Sequence, residues 1–160
     1  MGGADALTLR PARLHEARAM ADMSRRLIES GLAWRYRPSR MAVLISDPET
    51  LAVVACDAAR IQGFAMMQFG AERAHLVLLC VEPSQQRRGI GRRLDAWLLL
   101  SAQVAGMESV QLELRADNAP ALAFYSRLGY AETQQVPGYY DGRLAARRMV
   151  RRLRPGTAMG

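Results

Sequence analysis

The chain has 160 residues, half of them hydrophobic, and carries 22 basic against 15 acidic residues for a net charge of +7. A chain of about 150 residues buries roughly 70% of its unfolded surface, so this length suits one domain, 1–160, with an adequate core at about 7–153. All 22 of those basic residues are arginine, and the absence of lysine excludes a P-loop lysine and any lysine-borne Schiff base.

No apolar run approaches the about 18–20 residues of a membrane span, and "MGGADALTLRPARL" has no signal-peptide apolar region. A cytoplasmic protein with no membrane partner is therefore expected. Cys56 and Cys80 fit no metal-ligand spacing and read as small buried hydrophobes, so no metal is expected. The arginine excess suits an anionic partner, and a solvated basic surface accounts for it as well. A nucleic-acid-binding module is a rival reading of the charge, but no known nucleic-acid motif accompanies it, and no nucleic-acid partner is expected.

Taken in chain order, "ALTLRPA" (6–12) reads as a first strand. Ala17, Met20, Ala21, Ser24, Leu27 and Ile28 recur at helical spacing between Leu14 and Ser30, and Gly31 stops them. A short helix is expected from Pro38 or Ser39 to just before Pro48. Three strands follow at 51–56, 60–70 and 73–81. Ile90, Leu94, Trp97, Leu98, Ser101 and Ala105 then trace one helix face that Gly106 ends. "SVQLELRA" (109–116) alternates like a strand, and "NAPALAFYSRLG" (118–129) is a helix with Asn118 as N-cap and Gly129 as C-cap. "YAETQQV" (130–136) and "LAARRMVRRL" (144–153) close the chain as strands, although the second fits neither period well. The order β-α-α-β-β-β-α-β-α-β-β predicts an α/β (α+β) architecture, a mixed sheet with helices packed against it.

Between the fourth strand and the third helix lies "QQRRGIGRR". A helix start leaves its first N–H groups unpaired and partly positive, and Gly89 and Gly91 would let a bulky anion approach them. The segment is neither a Walker A loop nor a Gly-x-Gly-x-x-Gly fingerprint, because Leu94 occupies the third glycine position. From these residues alone, an anion cradle and an unliganded turn both remain open.

Gln86-Arg87-Arg88-Gly89-Ile90-Gly91 resembles the Gln/Arg-x-x-Gly-x-Gly/Ala pyrophosphate loop of the GCN5-related N-acetyltransferases, which bind acetyl-coenzyme A. "LELRADNAPALAFYSRLGY" (112–130) resembles the same family's downstream block, and the later Tyr139-Tyr140 pair is most similar to its RimI-type members, which acetylate the α-amine of a protein N-terminus. The resemblance implies a mostly antiparallel sheet of about six to seven strands flanked by about four helices. It implies Glu113 as general base and Tyr125 as general acid. It places acetyl-coenzyme A against Leu79, Cys80 and Val81, against the backbone of Gln86, Arg87, Arg88, Gly89, Ile90, Gly91 and Arg92, and against Asn118 and Tyr125. Tyr139 and Tyr140 fall at substrate-contacting positions, and Trp34 and Tyr36 lie on an expected acceptor rim.

The chemistry requires such groups. An ammonium must lose a proton before it can attack a thioester, the carbonyl oxygen needs hydrogen-bond donors, and the departing thiolate benefits from a proton. Direct attack in a ternary complex is the expected mechanism. Bland alternatives stand beside each assignment: a solvated Glu113, a core aromatic at Tyr125, a plain N-cap at Asn118. Glu82 is a second candidate base, Cys80 reads as packing, and neither His15 nor His75 is assigned a catalytic role. Two departures from the RimI pattern lie on the acceptor side. The segment "YYDGRLAARRM" lacks the usual acidic residues, and "LAWRYRPSRMAV" matches nothing in the family. The acceptor is expected to be a peptide or protein α-amine, with a small-molecule amine as the alternative. A non-catalytic acyl-coenzyme A sensor is a further rival. The protein is expected to act as a monomer or homodimer.

Overall fold

Strand and helix boundaries follow the patterning closely. The computed structural model describes residues 6–58 and 60–153, with Arg87 by its backbone alone, so the two ends of the expected 1–160 domain lie outside the described residues. Seven strands are β1 (Thr8–Pro11), β2 (Thr50–Asp57), β3 (Arg60–Phe69), β4 (Arg73–Val81), β5 (Ser109–Arg115), β6 (Ala131–Tyr140) and β7 (Leu144–Arg152). Four helices are α1 (Ala17–Leu27), α2 (Pro38–Ser46), α3 (Ile90–Val104) and α4 (Ala119–Arg127). The strands join one sheet in the order β1-β2-β3-β4-β5-β7-β6, antiparallel except for the parallel pair β4–β5. No helix among the described residues is long and apolar enough to cross a membrane.

Close contacts divide the described residues into two compact parts, 6–68 with Val77–Leu98, and Phe69–Leu76 with 99–153. In the first part β2 and β3 are buried on both faces. Met20, Met23, Met41, Phe64 and Met66 form a sulfur-rich core with Val54, Leu78 and Cys80. Flexible methionines fill such irregular space between helices and sheet well. The pleat sends Gly63, Ala65 and Met67 to the opposite face from Phe64 and Met66. There a Cβ on Gly63 would stand 2.9 Å from the Cys80 carbonyl oxygen, 3.2 Å from Ile90 Cγ2 and 3.3 Å from Val81 Cγ2. Gly63 thus lets the end of β4 and the start of α3 come close to β3.

In the second part β5 alternates strictly, burying Val110, Leu112 and Leu114 and turning Gln111, Glu113 and Arg115 to the other face. Asn118 caps α4, its side chain accepting from the Ala121 N–H at 3.1 Å. Gly129 follows at φ +97°, and the Arg151 guanidinium donates to the Leu128 carbonyl at the helix end, where positive charge is favoured.

The structure departs from the sequence expectations at two places. Pro83–Arg88 winds into a 3₁₀ turn where no helix was expected. Strand β6 does not stop at Val136 but continues through Pro137 and Gly138 to Tyr140, with irregular register over that stretch. Proline has no N–H to give a ladder, yet β6 is an edge strand, where a missing donor is tolerated. The β6–β7 turn uses Asp141 (φ 55°) and Gly142 (φ 69°), with Arg143 N–H donating to Tyr140 O at 2.9 Å, a turn whose twist suits a hairpin. The buried residues of β7, Ala146 and Met149, lie three apart, which is why its period was ambiguous.

Gly63→Ala should destabilise the chain by about 1–3 kcal/mol, because the Cys80 carbonyl, a backbone group, must move. A denaturant titration with an unchanged midpoint would contradict that close approach.

Candidate active site

In the first part of the chain, Glu82 N–H donates to Gln62 O at 2.8 Å as the β3–β4 ladder closes, and the 3₁₀ turn follows. Gly89 then adopts φ 72°, ψ 19°, and nothing lies within 4 Å of the Cβ it lacks. Its glycine is therefore required by conformation, and the space beside it is open. The first bond of α3 runs from Arg93 N–H to Gly89 O at 3.1 Å, so the amides of Ile90, Gly91 and Arg92 precede the helical ladder. Ile90 and Leu94, both fully buried, anchor this helix start. The sequence placed four arginines around the loop, but Arg88 reaches back to Gln85 at 2.7 Å and Asp57 at 3.3 Å. Gln86 and Arg92 are exposed, Leu79 is half-buried, and Cys80 and Val81 are buried. Burial first, and the Glu82 charge after it, push the Cys80 thiol far above its ordinary range. A thiol so held does not act as a nucleophile, in agreement with its reading as packing. Glu82 itself pairs with Arg26 at 2.8 Å.

The expected acceptor rim is organised by a residue the sequence did not flag. Glu29, buried, accepts from Ser24 Oγ at 2.7 Å and from the amides of Arg35 at 2.6 Å and Tyr36 at 3.3 Å. One carboxylate thereby fixes the backbone between Trp34 and Tyr36. The guanidiniums of Arg25 and Arg37 stack on Trp34 at 4.8 and 4.9 Å, and that of Arg40 stacks on Tyr36 at 4.4 Å. An acidic residue just beyond a helix end and before a loop of alternating aromatic and basic residues was the available signal.

In the second part, Glu113 is the centre of a dense polar network. Its side chain is only 5% exposed. His75 Nε2 donates to its Oε1 at 2.7 Å and Tyr139 Oη to the same oxygen at 3.3 Å. Gln111 Nε2 donates to Oε2 at 2.9 Å and Arg148 Nε at 2.7 Å. Burial raises the Glu113 pKa, but the hydrogen bonds from His75 and Arg148, the His75 charge and Gln111 outweigh it and hold the carboxyl at about 2. Tyr139 stacks edge-on against Tyr140, ring centroids 4.9 Å apart. Tyr125, half-buried on α4, packs edge-on against Phe124 at 5.0 Å and Tyr130 at 5.5 Å. The structure thus brings Glu113 and Tyr139 into contact. It adds His75, Gln111 and Arg148, which the sequence reading left out. The parallel β4–β5 register, His75 opposite Gln111, puts His75 beside the Glu113 face and could not be read from the chain.

Because its folded pKa is depressed, Glu113 stabilises the fold above the ordinary carboxyl range, and that stability is lost as pH falls towards 2. For a shift from 4.5 to about 2 it is on the order of 3 kcal/mol. Acid titration of Glu113→Gln should show a shallower stability loss between about pH 5 and 2 than the unsubstituted chain, and equal slopes would contradict the network.

The model of the acetyltransferase (GNAT) family matches residues 15–130. The ribosomal protein bS18-alanine N-acetyltransferase of Salmonella typhimurium is 38% identical over 81 residues, 51% of this chain and 55% of that protein. A mycothiol acetyltransferase of Clavibacter michiganensis is 34% identical over 86 residues, 54% of this chain and 28% of that protein. The chain spans about half the length, or less, of these curated relatives. The crystal structure of the ribosomal-protein-S18-alanine N-acetyltransferase from Escherichia coli superposes with a TM-score of 0.82 at 26% identity, covering 97% of this chain and 99% of that one. A family match over most of the chain, the seven-stranded sheet with its single parallel pair, and a left-handed glycine ahead of an open helix start converge, and the chain belongs to the acetyltransferase (GNAT) family.

Proposed function

We propose that this chain is an acetyl-coenzyme A-dependent N-acetyltransferase whose acceptor is the α-amine of a peptide or protein N-terminus. The observation that carries the proposal is the helix start after Gly89, where three amides precede the helical ladder beside open space. Such a terminus suits a pyrophosphate, whose charge the helix dipole and the oriented N–H groups stabilise. Acetyl-coenzyme A would lie along the backbone of Leu79–Val81 and the 86–92 loop and supplies an acetyl thioester. Asn118 and Tyr125 are assigned to the cofactor as well, and Tyr125 offers a phenolic proton to the departing sulfur. Similarity to a ribosomal-protein N-acetyltransferase supports the peptide acceptor.

Tyr139 and Tyr140, with the stacked Trp34 and Tyr36, are assigned to the acceptor. The likeness to a mycothiol acetyltransferase favours a small-molecule amine as the second reading. Two free buried cysteines suit a reducing compartment, so the cytoplasm is proposed as the place of action, for a monomer or homodimer.

A thiol-release assay with acetyl-coenzyme A should show turnover with N-terminal peptides above that with amino acids, polyamines or aminoglycosides. Turnover confined to a small amine would favour the second reading. Gly91→Arg should abolish coenzyme A binding in calorimetry, and retained affinity would remove the loop from the site. Tyr125→Phe should lower kcat by ~10²-fold or more with little change in acetyl-coenzyme A affinity. An unchanged kcat would return Tyr125 to packing.

A further inference from the structure

We propose that His75, rather than Glu113, takes the proton from the acceptor ammonium, with Glu113 as the positioning residue that orients the imidazole. The inference rests on the acetyl-transfer reading above and concerns which group performs one of its steps. Three observations carry it.

The first is saturation. Both Glu113 oxygens are engaged by donors on four strands: His75 of β4, Gln111 of β5, Tyr139 of β6 and Arg148 of β7. A carboxylate surrounded in this way is a poor proton acceptor. Its pKa of about 2 compares with about 8 for an α-ammonium, so direct transfer would run steeply uphill.

The second is tautomer. Because an ionised carboxylate can only accept, the imidazole nitrogen 2.7 Å from it carries a hydrogen. In the neutral ring the lone pair is then on Nδ1, which makes that atom the proton acceptor. A carboxylate behind a histidine also stabilises the imidazolium that forms, as in other histidine bases.

The third is access. The His75 side chain is 39% exposed where the Glu113 side chain is 5% exposed. Tyr139, assigned to the acceptor, donates to the same Glu113 oxygen as His75, so the imidazole and this phenol meet at one atom. Other charged groups are accounted for. Arg73 on β4 is tied to Gln111 at 2.8 Å, Arg148 is tied to Glu113, and β3 carries no ionisable residue from Ile61 to Phe69.

The step balances as follows. His75 Nδ1 takes one proton from the ammonium and passes it to solvent from its exposed ring. The amine nitrogen forms the new N–C bond as the C–S bond breaks, and its second surplus proton reaches the departing sulfur by way of the Tyr125 hydroxyl. One proton is released overall.

The test uses a peptide that the unsubstituted enzyme acetylates. Its kcat/KM should show an acid limb, falling as pH is lowered. His75→Gln should lower kcat by ~10²-fold, flatten that acid limb and leave coenzyme A affinity within about twofold. Added imidazole should restore part of the activity of His75→Ala, which a purely structural role would not allow. An acid limb retained in His75→Gln, with kcat within about threefold, would overturn the assignment. Absence of turnover in the unsubstituted enzyme with every amine would instead contradict the acetyl-transfer reading itself.

Discussion

One buried negative charge organises half of this molecule. The Glu113 carboxylate takes hydrogen bonds from β4, from its own strand, from β6 and from β7, and so joins four strands at one point. A charge taken from water is costly unless its lone pairs are met, and here each oxygen meets two donors. The same satisfaction fixes the orientation of the partners. His75 has its tautomer set, Tyr139 its hydroxyl direction, and Arg148 its guanidinium. Removing the carboxylate would leave Arg148 without its counter-charge and His75 and Tyr139 without their acceptor, so stability and site geometry are coupled through this residue.

In the other part of the chain small residues shape the loop and helix start, while the Glu29 carboxylate holds the rim. Gly63 allows the β4 end and Ile90 to approach β3, and Gly89 takes the left-handed turn that opens the amides of α3. Arginines contribute less to this anion-ready terminus than their number suggests. Arg88 is tied to Gln85 and Asp57, and Arg26 to Glu82. Arg25 and Arg37 are spent on the faces of Trp34, which stiffens the rim that Glu29 holds from beneath. Backbone donors and stacked rings, more than net charge, give each region its character.

Element order was legible in the chain because its periods are clean. The strict alternation of "SVQLELR", the Asn118 cap and the Gly31, Gly106 and Gly129 stops each state their structure locally. Strand β6 was cut short because Pro137 signals a break to any local reading, and only its edge position in the sheet removes that penalty. The glycine loop was legible through its motif. The network around Glu113 was not, because His75, Tyr139 and Arg148 lie 38, 26 and 35 residues from it and are gathered by sheet register. A histidine on a strand looks ordinary until the strand beside it is known.

The charge state of Glu113 tests this account most directly. Carbon-13 labelling of the glutamate side chains, with Glu113→Gln for assignment, would follow its carboxyl by NMR as pH is lowered. The account predicts an ionised signal that stays flat from pH 8 to about 4 and turns only towards about 2. An inflection in the ordinary carboxyl range or above would contradict it, and would return Glu113 to the role of proton acceptor.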